Sequence, residues 1–199
     1  MATPLVLVTG FGPFVNVAFN PSGALAMRLE SEPPPGIDVR AFELPVTFGG
    51  LAAAYASARE RLGEERPVAL LSLGVHRGPG FRLERRARAR LHSEKRDNDG
   101  VLAAELDPLG THDLHTTLDL DALGFAMLLA GAAGADISED AGGFVCERCY
   151  YEVLSVAGQL LVPGLFVHVP PEDVLPVEVQ FAPLQALVTE LVRQADTHH

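Results

Sequence analysis

The chain has 199 residues, 48% of them hydrophobic and 21% charged, with a formal net charge of −11. That length and balance fit one globular domain spanning 1–199 and exclude a disordered chain. The acidic excess argues against nucleic-acid binding, and no apolar run approaches the roughly 20 residues of a membrane-spanning helix.

The opening residues, MATPLVLVTG, lack a positively charged stretch, so no signal peptide is expected. Leu5 to Phe11 is a short apolar run ended by glycine and predicts a buried strand. Asn20-Pro21-Ser22 opens a helix, with Asn20 as cap and Pro21 in the first turn, running to about Ser31 before three prolines. Ile37 to Val46 predicts a strand, and the stretch from Gly49 to Glu65 a helix. Val68 to Val75 is apolar on all sides and β-prone, the pattern of a central parallel strand. Helices are expected over 119–132 and 144–158, a strand over Gly164 to Pro170, and a last helix over 181–195 with Pro183 early in it. The terminal His198 and His199 are set aside. Alternating strands and helices predict an α/β fold, a three-layer α/β/α sandwich around a twisted, mainly parallel sheet. Sites in such sheets lie at the C-terminal ends of strands.

Residues 77–100 break the alternation of elements. Eight of the chain's 15 basic residues fall between Arg77 and Arg96. FRLERRARARLH alternates, with Leu83, Arg85, Ala87, Ala89 and Leu91 on one face and Arg82, Glu84, Arg86, Arg88, Arg90 and His92 on the other. A solvated β-arm or an oligomer contact is the expectation here. Glu84, a lone carboxylate among arginines, stands out.

Only two cysteines are present, too few for a disulfide framework, and a reducing cytoplasm is the expected compartment. Cys146 falls just inside the helix that follows Gly142-Gly143, where unpaired N–H groups and the positive dipole end favour a thiolate. Four readings stay open from the residues alone: a nucleophile, one half of a redox pair with Cys149, a metal ligand, or a buried core thiol. His168, near a strand end in LFVHVPP, is either a satisfied core histidine or a general base beside the thiol, and Glu84 is a candidate to orient it.

Several separated segments, in order, resemble the pyroglutamyl peptidase I family, also called pyrrolidone-carboxylate peptidases. They are VTGFGPF followed by NPS, LPVTF, LERRARARLHSEKRDNDG, AGGFVCERCYY and VHVP. The spacing from Glu84 to Cys146 is 62 residues and from Cys146 to His168 is 22. The resemblance implies an α/β/α sandwich and removal of N-terminal pyroglutamate from peptides, with no metal or cofactor. It also implies a cytoplasmic protein and a homo-oligomer. It makes Cys146 the nucleophile, which His168 deprotonates or already holds as a thiolate–imidazolium pair. Glu84 orients the imidazole, and Phe11, Phe14, Phe144 and Val145 line the lactam pocket. Three positions depart from the family pattern. Val75 stands where many members carry glutamine, Glu94 where many carry an arginine (Arg90 or Arg96 being candidates to replace it), and Glu147 follows the nucleophile in place of asparagine. These departures motivate two alternatives: a weak or silent homologue that binds a small ligand, and a cysteine hydrolase for another cyclic or acylated amine.

Overall fold

The computed structural model of the chain describes residues 3–14 and 19–197, so His198 and His199 lie outside the described residues. In chain order the elements are β1 (Leu5–Phe11), α1 (Pro21–Ser31), β2 (Asp38–Leu44), α2 (Gly50–Leu62), β3 (Ala69–Val75), β4 (Phe81–Glu84), β5 (Arg86–Ala87), β6 (Leu114–His115), α3 (Leu120–Leu129), β7 (Ala135–Ser138), α4 (Val145–Leu160), β8 (Gly164–Val169) and α5 (Val177–Thr197). Six strands form one sheet in the order β2-β1-β3-β8-β4-β7, and β5 pairs with β6 in a small ribbon. All pairings in the large sheet are parallel except β4 with β8.

The strands at the centre of the sheet, β1, β3 and β8, are buried nearly throughout, as their continuous apolar runs require. Alternate residues supply two cores. Val6, Val8, Leu71, Leu73, Val167 and Val169 pack under α1, α3 and α5. Leu5, Leu7, Leu70 and Phe166 pack under α2 and α4. Helices on both faces give the three-layer sandwich. α1 begins where the sequence indicated, because the Asn20 side chain accepts the Ser22 N–H at 3.1 Å and Pro21 fills the first turn.

The basic segment is only partly an arm. Phe81 to Glu84 enters the main sheet between β8 and β7. Leu83 belongs to the core under α1, α3 and α5, while Ala87 belongs to the core under α4. Strict alternation would keep the two on one face, so the chain shifts face after Glu84, where it leaves the sheet for the β5–β6 ribbon. Glu84 thereby lies fully buried under α4, not on a solvated surface. β7 is a half-exposed edge strand of four residues that carries no apolar run. α5 begins at Val177, one turn before the expected start, so Pro183 lies inside the helix.

Candidate active site

β8 directs Leu165, Val167 and Val169 to one face and therefore Phe166 and His168 to the other, under α4. β4 runs antiparallel beside it, with Arg82 opposite His168 and Glu84 opposite Phe166. Glu84 and His168 are thus a diagonal pair on one face, close enough for a long side chain to bridge. Glu84 Oε1 lies 2.7 Å from His168 Nδ1. A carboxylate oxygen only accepts, so Nδ1 carries the proton and Nε2 is left free to take one. Both side chains are almost wholly removed from water. Tyr150 steadies Glu84 from behind, its hydroxyl donating to the Glu84 carbonyl at 2.6 Å. Among the described residues, Glu84 Oε2 is buried without a hydrogen-bond partner.

Gly74 is directly opposite His168 in the β3–β8 pairing. A Cβ placed on Gly74 would lie 2.7 Å from Phe166 Cζ and 3.1 Å from Cys146 Sγ. The sulfur therefore sits over the bare backbone of β3, at the residue paired with His168 on the neighbouring strand. The approach needs glycine at this position, because any side chain would occupy the space of the thiol.

Cys146 is the second residue of α4, as its position after Gly142-Gly143 indicated. The first intrahelical donor is Arg148, to the Phe144 carbonyl, so the amides of Val145, Cys146 and Glu147 have no helical partner. Phe144 has no capping oxygen. Instead the fully buried Glu147 accepts from Gly143 N at 3.2 Å and from Arg88 N at 2.8 Å. Gly143 adopts φ +63°, and its carbonyl accepts from both His92 and Ser93 N–H, which locks the turn before Cys146.

The helix end does not by itself make Cys146 a thiolate. Burial raises its pKa most, followed by the charge of Cys149 and of the carboxylates Glu84 and Glu147, with Lys95 opposing. Burial and these charges push the Cys146 thiol up, against the helix end, and the residue itself is half-buried. Cys149 is fully buried one turn on, with Tyr55 Oη 3.6 Å from its sulfur. Burial pushes its thiol up to about 12. It is a core thiol held in the Thr9–Ser72–Tyr55 hydrogen-bond cluster, poorly suited to redox exchange. His112 is hydrogen-bonded to Thr111, and among the described residues no cluster of His, Cys, Asp or Glu is arranged to hold a metal ion.

Residues 5–190 match the sequence profile of a family described as pyroglutamyl peptidase. The chain belongs to the pyroglutamyl peptidase family. It is similar to a pyrrolidone-carboxylate peptidase of Gloeobacter violaceus, 36% identical over 169 residues that cover 83% of this chain and 80% of the relative. A pyrrolidone-carboxylate peptidase of Streptomyces coelicolor is 34% identical over 180 residues, covering 85% and 80%. The crystal structure of pyrrolidone carboxyl peptidase from Thermus thermophilus superposes with a TM-score of 0.76 at 30% identity, covering 92% of this chain and 98% of the other. That from Fervidobacterium islandicum AW-1 gives 0.80 at 25% identity, covering 96% and 99%.

For a pyroglutamyl peptidase, the four expected pocket residues are unequal in access. Phe11 ends β1 and is 3% exposed, and Val145 is 1% exposed, so both act through packing. Phe14 is 39% exposed, and Phe144 is half-buried with its ring edge-on to Phe48 at 5.3 Å. Phe48 is fixed by Asp97, whose Oδ2 accepts the Phe48 N–H at 2.7 Å while Oδ1 accepts from Asp99 and Val101. That gives the Asp-Asn-Asp-Gly stretch a structural purpose. Val75 points to the opposite core. Glu94 and Arg90 are exposed, and Arg96 is spent on the Gly100 carbonyl at 2.6 Å. The cation whose field lowers the Cys146 thiol is Lys95. Phe48, Gly74, Tyr55 and His76 escaped the sequence reading. Only the LPVTF segment and the aromatic at 48 hinted at one of them.

Proposed function

We infer that this chain is a thiol peptidase that removes pyroglutamate from the N-terminus of peptides, with Cys146 as nucleophile, His168 as base and acid, and Glu84 as orienting carboxylate. The observation that carries it is the convergence of Glu84, His168, Gly74 and Cys146 beneath the start of α4. His168 Nε2 takes the thiol proton as sulfur attacks the carbonyl carbon joining pyroglutamate to the next residue. The oxyanion that forms is matched by the α4 N-terminal amides that have no helical partner. The C–N bond then breaks, and Nε2 returns its proton to the leaving amine. Water attacks the thioester, His168 takes a proton from it, and free pyroglutamate leaves as the thiol re-forms. Phe14 and Phe144 flank the flat, uncharged lactam, with Phe11, Val145 and Phe48 packed behind them.

The test is release of a fluorophore from pyroglutamyl, prolyl and glutaminyl conjugates. An open-chain glutamine brings a charged ammonium into an apolar clamp, and proline lacks the lactam carbonyl, so both are rejected. Comparable cleavage of either would favour a hydrolase for other amines. The catalytically silent alternative predicts no release from any conjugate.

The same reading expects a cytoplasmic homo-oligomer. Among the described residues, no helix is long and apolar enough to cross a membrane. On α3, Phe125, Leu128 and Leu129 are exposed, which supports self-association; sedimentation of a monomer at micromolar concentration would reject it.

A further inference from the structure

His76 has no part in the reaction above, yet its ring centroid lies 5.9 Å from that of His168 at an interplanar angle of 58°. It follows Gly74 by two residues and so lies on the same face of the sheet, one step nearer the C-terminal edge. Its backbone N–H donates to the Val169 carbonyl at 3.2 Å, which carries the β3–β8 pairing past the end of the strand. Both ring nitrogens are engaged. The Gly78 N–H only donates, so Nδ1 at 3.1 Å accepts it; the Gly80 carbonyl only accepts, so Nε2 at 2.6 Å donates. These two bonds close the short turn between β3 and β4 and fix one neutral tautomer. Around His168, Glu84 holds Nδ1 and the Phe166 ring stands edge-on at 4.9 Å, leaving the outward side to His76.

We propose that His76 is a positioning residue for the pyroglutamyl peptidase reaction: it braces the outward side of the His168 ring, clips the β3–β4 turn over the site, and serves only while neutral. The proposal rests on the thiol-peptidase reading given above. The charged and titratable groups that act on His76 are His168 from β8 and Arg82 and Glu84 from β4. Burial, first, holds His76 below the usual histidine range; the Gly80 bond opposes this, His168 and Arg82 add to it, and Glu84 opposes. A proton added at Nδ1 would face the Gly78 N–H donor to donor and open the turn. It would also set a positive charge beside a ring that must itself become positive during catalysis. Acid therefore removes activity through a proton on His76 as well as through loss of the free base that the reaction needs.

The test compares kcat and KM against pH for a pyroglutamyl fluorogenic substrate in wild type, His76→Gln and His76→Ala. Glutamine can accept from Gly78 and donate to Gly80 without titrating. His76→Gln should keep kcat within about threefold at neutral pH, and its acid limb should fall with one-proton slope where the wild type falls more steeply. His76→Ala should lose about tenfold in kcat with KM within twofold. Equal acid slopes in wild type and His76→Gln overturn the proposal, as does kcat within twofold of wild type in His76→Ala. A glutamine variant as impaired as the alanine one overturns it too, and a raised KM with unchanged kcat in His76→Ala would make His76 a substrate contact instead. Nitrogen NMR of the wild-type histidines decides the state of His76 without any turnover. A His76 that is mostly neutral and Nε2-protonated at about pH 6.5, the ordinary histidine midpoint, is expected, and an imidazolium there overturns the proposal. If the wild type releases no pyroglutamate, the peptidase reading fails while the NMR result still stands for or against His76.

Discussion

Gly74→Ala places a methyl group where the site has none to spare. The added carbon would sit 2.7 Å from Phe166 Cζ and 3.1 Å from Cys146 Sγ, against the roughly 3.5–4.0 Å of an ordinary carbon contact. β3 is hydrogen-bonded to β1 on one side and β8 on the other, so the strand has no room to retreat. The ring and the thiol must move instead. Overpacking by one methyl costs about 1–3 kcal/mol. For a chain of this size each kcal/mol lowers Tm by about 2–4 °C, so a fall of about 2–12 °C is expected. Displacing the sulfur by a few tenths of an ångström to about 1 Å should cut kcat/KM by about 10- to 100-fold. KM should change little, because the proposed lactam contacts of Phe14 and Phe144 are untouched. Steady-state hydrolysis of a pyroglutamyl fluorogenic substrate and a thermal melt of the same preparation measure both effects. Wild-type kcat/KM within twofold in Gly74→Ala would refute the placement of the nucleophile over β3.

Glu84→Gln keeps an acceptor for His168 Nδ1 but removes the charge that steadies the imidazolium, so kcat should fall about 100-fold, less than in Cys146→Ala or His168→Ala. Phe14→Ala removes one exposed wall of the clamp, about 1–3 kcal/mol of contact, and should raise KM about tenfold while iodoacetamide still alkylates Cys146 at near the wild-type rate. Glu147 is a buried carboxylate whose pKa is raised above its ordinary value, chiefly by burial. The folded state then holds its proton to higher pH than the unfolded chain does, so this group favours folding most at low pH and loses that contribution as pH rises through its raised value. Urea unfolding of wild type and Glu147→Gln should show the wild type gaining relative stability as pH falls from 7 towards 4.5, and a pH-independent difference would exclude this.

The sequence made the scaffold legible where local rules decide it. Asn20-Pro21-Ser22 marks the start of α1, the unbroken apolar runs mark β1, β3 and β8, and Gly142-Gly143 places Cys146 at a helix start. It was silent where tertiary pairing decides. β7 is an edge strand of four half-exposed residues and carries no periodic signal. The alternation over 81–92 suggested one continuous strand, but burying Glu84 under α4 and Ala87 in the same core requires a shift of face between them. The meeting of Glu84 with His168 depends on the antiparallel register of β4 against β8, and no spacing in the chain encodes it. Only the sulfur packed above Gly74 shows why no side chain fits there. The helix end that favours a thiolate at Cys146 is legible in the sequence, whereas the burial and the carboxylates of Glu84 and Glu147 that push its thiol the other way are invisible in one dimension.

The most direct measurement is of the covalent intermediate itself. Enzyme mixed with excess pyroglutamyl substrate, quenched in acid within the first turnover and digested, should yield the peptide carrying Cys146 heavier by one pyroglutamyl group. The adduct should be absent in Cys146→Ala and should accumulate in a variant whose deacylation is slowed, such as Glu84→Gln. Undiminished release of pyroglutamate by Cys146→Ala, or an adduct on any other residue, would contradict a thiol mechanism centred on Cys146.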